Sequence, residues 1–325
     1  MGTMPIEKRK ITSSRLILGC MGFGGNWDYS QLTDEDVAKT EKGIDAALSS
    51  GISMFDHADI YRMGKAEEAF GRVLKKSPDL RSKMIIQSKC GIRFEDDHAP
   101  GRYDFSIEHI ESSVDKTLKR LSVDYLDILL LHRPDPLMEP EEVSEVLLQL
   151  KQSGKVRYFG VSNMNKSQME LLEDHLGEPL IVNQLEMSLN KLDWIDHGVH
   201  VNQKAGAQTQ FSDGLLEYCM LNQIQIQAWA SLANGMFSGN EKENLTEAER
   251  NTKQLVAKMA AEKETSREAI VLGWLMRHPA KIQPVIGTTN PERIRSCADA
   301  IRISKLMTRE EWYSLYVASR GISLP

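Results

Sequence analysis

Eight short apolar runs recur along this chain, and a helix-like stretch follows most of them. The runs cover residues 15–19, 52–55, 84–88, 126–131, 156–161, 180–184, 224–229 and 282–286. Several are almost continuously apolar, as parallel strands buried on both faces require. Between the runs the period changes. Ile107, Ile110, Val114, Leu118 and Leu121 step by three and four, which marks one face of a helix. Val143, Val146, Leu147 and Leu150 do the same, with Gly154 as a stop signal. Thr33 with Asp36, Thr246 with Glu249, Thr265 with Glu268 and Thr308 with Glu311 have the spacing of N-terminal capping boxes. Alternation of this kind fits a doubly wound sheet or an eight-fold barrel. A dinucleotide-binding doubly wound sheet carries GxGxxG directly after its first strand, and the glycine-rich stretch 19–25 does not match it. Eight units therefore predict an α/β fold of the (β/α)8 TIM-barrel type. No linker or low-complexity stretch interrupts residues 1–325, so they are read as one domain. The least patterned segment, 197–212, is read as a polar surface loop.

Composition narrows the role. With 41% hydrophobic and 26% charged residues, the chain can build a large core. Its 40 Lys and Arg against 46 Asp and Glu leave a net charge of -6, without the positive field that nucleic acids or anionic membranes attract. The longest strongly apolar run, 128–131, is far below the about 20 residues of a membrane helix. Residues 1–10 lack the apolar core of a secretory signal. Cys20, Cys90, Cys219 and Cys297 are widely spaced, as reduced thiols of a cytoplasmic protein would be. His197 and His200 have HxxH spacing but no third ligand nearby, so no metal is expected.

In a barrel of this kind the reactive groups stand at the C-terminal ends of the strands. Asp56 and Tyr61 follow the second run, Lys89 the third and His132 the fourth. A tyrosine beside an ammonium, with a carboxylate holding the lysine and a histidine orienting an oxygen, suits proton donation to a carbonyl. An adjacent ammonium favours phenolate and lowers the tyrosine pKa. After the eighth run, Asn290 is a good N-cap, Pro291 suits the first helical position and Arg293 lies in the first turn. Such a helix start can hold phosphate. Trp229 offers a face for stacking, and Ser162, Asn163 and Gln184 could hydrogen-bond a planar amide. Together these features point to a phosphorylated cofactor across the barrel mouth.

The motifs FDHADIYRMGKAEEAFG, IIQSKCG, YLDILLLHRPD, GKVRYFGVSN, VNQLE, QAWASL and VIGTTNPERI, in this order, resemble the aldo-keto reductases, and in particular a bacterial branch with DHADIY and HRPDP. The resemblance implies a barrel that binds NADP(H) without a Rossmann domain and reduces a small aldehyde or ketone. It implies Asp56, Tyr61, Lys89 and His132 as a catalytic tetrad with Tyr61 as general acid. Ser162, Asn163 and Gln184 would hold the carboxamide, Trp229 would stack on the nicotinamide and Arg293 would meet the 2′-phosphate. Cys20, Met21, Gly287, Thr288 and Thr289 complete the expected cofactor contacts. The chain departs from the family pattern in having Gly287 where many members have lysine, Cys297 where they have asparagine, and Ala230-Ser231 after the stacking aromatic. Two other readings of the same residues are a cofactor-binding regulatory subunit with little turnover, and a Schiff-base aldolase using Lys89.

Overall fold

Parallel strands need long crossovers, and the spacing of the apolar runs supplies them. In the computed structural model, which describes residues 3–240 and 244–325, ten strands form. They are β1 (Ile17–Gly19), β2 (Met54–Asp56), β3 (Ile85–Cys90), β4 (Ile92–Arg93), β5 (Arg102–Tyr103), β6 (Leu126–Leu131), β7 (Val156–Ser162), β8 (Val182–Glu186), β9 (Gln225–Trp229) and β10 (Gln283–Ile286). Eight of them close a parallel barrel in the order β1-β10-β9-β8-β7-β6-β3-β2. Closure runs through β1, where Ile17 pairs with both Met54 and Val285. The other two, β4 and β5, form an antiparallel hairpin in the loop after β3, which the sequence pattern does not announce.

Three of the four capping boxes form: Thr33 with Asp36, Thr246 with Glu249 and Thr308 with Glu311. The fourth does not. Ser266 caps that helix by accepting from the Ala269 N–H at 3.0 Å, Thr265 donates to Asp299, and Glu268 turns away to Arg293. A one-residue shift of the cap thus frees Glu268 for the barrel mouth. The stretch 197–212 is also more ordered than expected. It contains the end of helix Asp193–Val199 and a 3-10 turn, Lys204–Gln208, and His200 is nearly buried beside Arg320 at 2.8 Å.

The barrel interior is layered. At its N-terminal end, Ile6 from helix Pro5–Lys8 and Met4, the N-cap before it, pack against Ile17, Met54, Ile128 and Leu130 and plug the floor. Above them lies a ladder of buried amides. Gln227 donates to Gln283 at 3.4 Å and to Gln87 at 3.1 Å, while Gln87 and Gln184 each donate to Gln227 and to Asp56. Every rung is hydrogen-bonded, so a polar layer is tolerated inside the barrel.

Outside, helix Lys65–Lys76 lies against the C-terminal end of helix Ile107–Leu121 through Gly71. A Cβ at Gly71 would sit 1.9 Å from the Arg120 carbonyl oxygen. Alanine gains up to about 1 kcal/mol in helix propensity, but backbone overlap outweighs it. We expect Gly71→Ala to lose about 1 to 3 kcal/mol of stability, read as a lower urea midpoint. An unchanged midpoint would contradict this helix contact.

Candidate active site

Asp56 ends β2, and the chain then turns into a 3-10 segment, Tyr61–Gly64. Arg62, Met63 and Gly64 all take left-handed backbone conformations, with φ of 54°, 58° and 87°. Two non-glycine residues in that region need outside support. Arg62 supplies part of it, donating from Nε to the Met21 carbonyl at 3.0 Å with its guanidinium over the Trp27 ring. Arg120 supplies the rest from behind. It pairs with the fully buried Glu67 at 2.7 Å and donates to the Asp59 carbonyl at 3.4 Å. Tyr61 is thus set on a turn held from two sides.

Lys89 lies within β3 rather than after it, with its side chain inside the barrel. Its Nζ donates to Asp56 Oδ2 at 2.7 Å, to the His57 carbonyl at 2.9 Å and to the Tyr61 hydroxyl at 3.0 Å. Burial works against the lysine's charge, but Asp56 and then Tyr61 outweigh it and hold the pKa above the ordinary value. Tyr61 corrects the sequence expectation. Burial pushes its phenol upward, and Lys89 offsets this only in part, because taking a phenolate out of water costs more than one nearby cation returns. Tyr61 is therefore a neutral phenol at physiological pH. His132 is held down to about 2, by burial first and then by Lys89 and Arg133. A neutral imidazole remains, its ring edge-on to Tyr61 at 6.1 Å between centroids. Its Nδ1 is buried without a partner, so Nε2 is the nitrogen free to meet a ligand oxygen. His57, the next residue after Asp56, faces the other way. It is fully buried, held down to about 3 by burial and Lys89, and packs edge-on against Phe70 at 4.6 Å.

These groups open onto a cavity of about 780 Å³ at the C-terminal end of the barrel. One wall carries Trp229, whose Nε1 donates to Asn163 Oδ1 at 3.0 Å. Asn163 has a φ of 58° and donates to the Ser162 hydroxyl at 2.7 Å, which itself donates to the Gln184 carbonyl at 2.9 Å. The indole plane is fixed by that chain of bonds. Arg293 stands beyond it, with Nε on Glu268 at 3.0 Å and Nη2 on Ser238 at 3.3 Å. Gly287 leaves open space where a side chain would stand.

Asp56, Tyr61, His132, Met21, Ser162, Asn163, Gln184, Trp229, Gly287, Thr288 and Arg293 all line this cavity. Lys89 lies directly behind Tyr61. Cys20 and Thr289 are not among the residues lining the cavity: Cys20, directly after β1, is fully buried, and the Thr289 methyl packs over Gly22. Sequence reasoning missed Gln87, Gln227, the Glu67–Arg120 pair and Glu268. The glutamines carried a signal in period two: Gln87 and Lys89 share one face of β3, and Gln227 and Trp229 one face of β9. Glu67, Arg120 and Glu268 lie on helices and carried none. Among the described residues no cluster of three His, Cys, Asp or Glu could hold a metal ion, and no helix is long and apolar enough to cross a membrane.

Comparison with known proteins agrees with this fold. A model of the aldo/keto reductase family matches residues 15–314. The chain is 36% identical over 318 residues to the uncharacterized oxidoreductase YcsN of Bacillus subtilis, covering 96% of each chain. It is 36% identical over 317 residues to a 6-dehydroglucose reductase of Agrobacterium fabrum, again covering 96% of each. Among solved structures, the glycerol dehydrogenase of Gluconobacter oxydans shares the fold with a TM-score of 0.76 at 21% identity, over 96% of this chain and 94% of that one. A thermostable aldo-keto reductase bound to epalrestat does so with a TM-score of 0.71 at 24% identity, over 94% of each. Matched from its first barrel strand to its last helix, the chain belongs to the aldo/keto reductase family, and it is an oxidoreductase that reduces carbonyls with a nicotinamide cofactor.

Proposed function

We propose that Tyr61 is the proton donor of this reduction, that Asp56, Lys89 and His132 support it, and that the cofactor is NADP(H). The observation that carries the reading is the Tyr61 hydroxyl at the cavity wall, 3.0 Å from a lysine that Asp56 grips at 2.7 Å. When bound, the dinucleotide supplies the hydride. The residues at the wall fit such a group: a fixed indole face, a Ser162–Asn163 hydrogen-bonding ledge, and an arginine at the far end. His132 Nε2 orients the carbonyl oxygen, and the Tyr61 phenol delivers its proton to that oxygen as negative charge develops there. Lys89, kept charged by Asp56, stabilises the phenolate left behind. The product is the alcohol. The phenol is then reloaded from solvent.

The 2′-phosphate preference rests on Arg293. Glu268 fixes its Nε and so presets the guanidinium at the wall of the cavity that Thr288 and Gly287 also line. Losing a charge-assisted contact of this type costs about 1.5 to 3 kcal/mol, or about ten- to a hundredfold in affinity. Arg293→Ala is expected to weaken NADPH by that factor and NADH hardly at all, read by tryptophan fluorescence titration. Equal weakening of the two cofactors would remove the 2′-phosphate role. The same reading puts the protein in the cytoplasm, a reducing compartment in which its four cysteines, free and buried here, stay thiols. The activity itself is tested by NADPH oxidation against a carbonyl panel, begun with small polar aldehydes because one relative is named for 6-dehydroglucose.

A further inference from the structure

Arg133 follows His132 directly and lines the same cavity. The other cations at the barrel mouth are engaged. Lys89 is bound to Asp56, Arg293 to Glu268, and Arg62 to the Met21 carbonyl and the Trp27 ring. Arg133 has no hydrogen bond and no ion pair to any described residue. Its guanidinium carbon lies 5.6 Å from the centroid of the Trp229 ring, and the residue is half-buried. Trp27, Ile60 and Ile92, which line the same cavity, offer little to accept its donors. A ring face leaves the guanidinium's N–H donors unsatisfied, which is costly for a half-buried charge, and in a cavity of lowered dielectric that charge attracts an anion more strongly than a surface arginine would. The guanidinium fork also matches carboxylate and phosphate in shape. One free carboxylate, Glu186, lines the cavity at the end of β8, in register with Trp229. No described cation pairs with it.

We propose that the carbonyl substrate carries a carboxylate or phosphate a few bonds from its reacting carbon, and that Arg133 binds that group. The proposal rests on Tyr61 and His132 being the carbonyl site. Because Arg133 is adjacent to His132, an anion held there lies close to the carbonyl, as in one small bifunctional molecule such as an oxo acid or a phosphorylated hydroxyaldehyde. Glu186 disfavours an anion at the β8 side of the mouth.

The test measures kcat/KM with NADPH for two matched pairs: succinic semialdehyde against its methyl ester, and glyceraldehyde 3-phosphate against glyceraldehyde. For at least one pair the charged member should be favoured about ten- to a hundredfold, mostly through KM, and added salt should reduce the ratio. Preference in the first pair only identifies a carboxylate, and in the second only a phosphate. Arg133→Met should collapse the ratio toward one, Arg133→Lys should retain part of it, and Glu186→Gln should raise it. Ratios near one in the wild type, or a ratio that survives Arg133→Met, would overturn the assignment of Arg133. Undiminished turnover of all four compounds by Tyr61→Phe would instead bring down the site reading beneath it.

Discussion

Tyr61→Phe is expected to reduce carbonyls at least about a hundredfold more slowly than the wild type, the low end of what a lost general acid costs. The substitution keeps the ring and removes one hydroxyl. The carbonyl oxygen then develops charge without the phenol to protonate it, and only the His132 Nε2–H is left to stabilise it. Tyr61 contacts neither Trp229 nor Arg293 through its hydroxyl, whose protein partner is Lys89. NADPH affinity should therefore be kept, and fluorescence titration separates a chemical defect from a binding defect. The left-handed turn after Tyr61 is held by Arg62 and Arg120, not by the phenol, so the fold should survive as well. A Tyr61→Phe enzyme with wild-type kcat would remove Tyr61 from the chemistry and the proposed tetrad with it.

Lys89→Met is expected to do two kinds of damage at once. Removing the ammonium leaves Asp56, 2% exposed, with two glutamine amides and no cation. Breaking a buried ion pair on one side costs about 3 to 5 kcal/mol, visible as a large fall in the urea midpoint. Turnover falls too, because the phenolate formed in the reaction loses its counter-charge. The direction of the pH effect follows from the signs: Lys89 pulls the Tyr61 pKa down against burial, so its loss lets the phenol rise further. The basic limb of the rate profile should then move to higher pH. The double variant Asp56→Asn with Lys89→Met removes both charges and should recover much of the stability but little of the rate. A single variant with unaltered stability and an unaltered basic limb would show that the pair is not coupled to Tyr61.

Much of this was legible in the sequence, for a definite reason. Parallel strands buried on both faces must be apolar almost throughout, so runs such as Leu126–Leu131 stand out, and observed bounds differ from the expected ones by only a residue or two. Groups at strand ends then follow from barrel topology, which is how Asp56, His132, Asn163 and Trp229 could be assembled without coordinates. What stayed hidden depends on other chains of cause. Helix Pro5–Lys8 is too short to show a period, although its Ile6 and its N-cap Met4 close the barrel floor. The Thr265–Glu268 spacing is a true match to the capping pattern, but Ser266 competes for the same N–H groups and wins, and Glu268 finds a stronger partner in Arg293. The net shift of Tyr61 needed a burial that no spacing reveals. The Glu67–Arg120 pair joins two helices distant in sequence, and only the packing at Gly71 brings them together.

The ladder of glutamines has a direction. At its upper end stands a carboxylate, which only accepts, so Gln87 and Gln184 must both turn their amide nitrogens toward Asp56. Gln184 spends that nitrogen on Asp56 and Gln227 and is left with its side-chain Oε1 unspent on the cavity side. The charge on one aspartate thus decides which end of a neighbouring amide a visitor meets. An oxygen there welcomes an N–H₂ and repels a carboxylate. A dinucleotide whose ring carries an acid in place of the carboxamide would face oxygen against oxygen, and this barrel should discriminate between the two by the orientation of a side chain set from underneath.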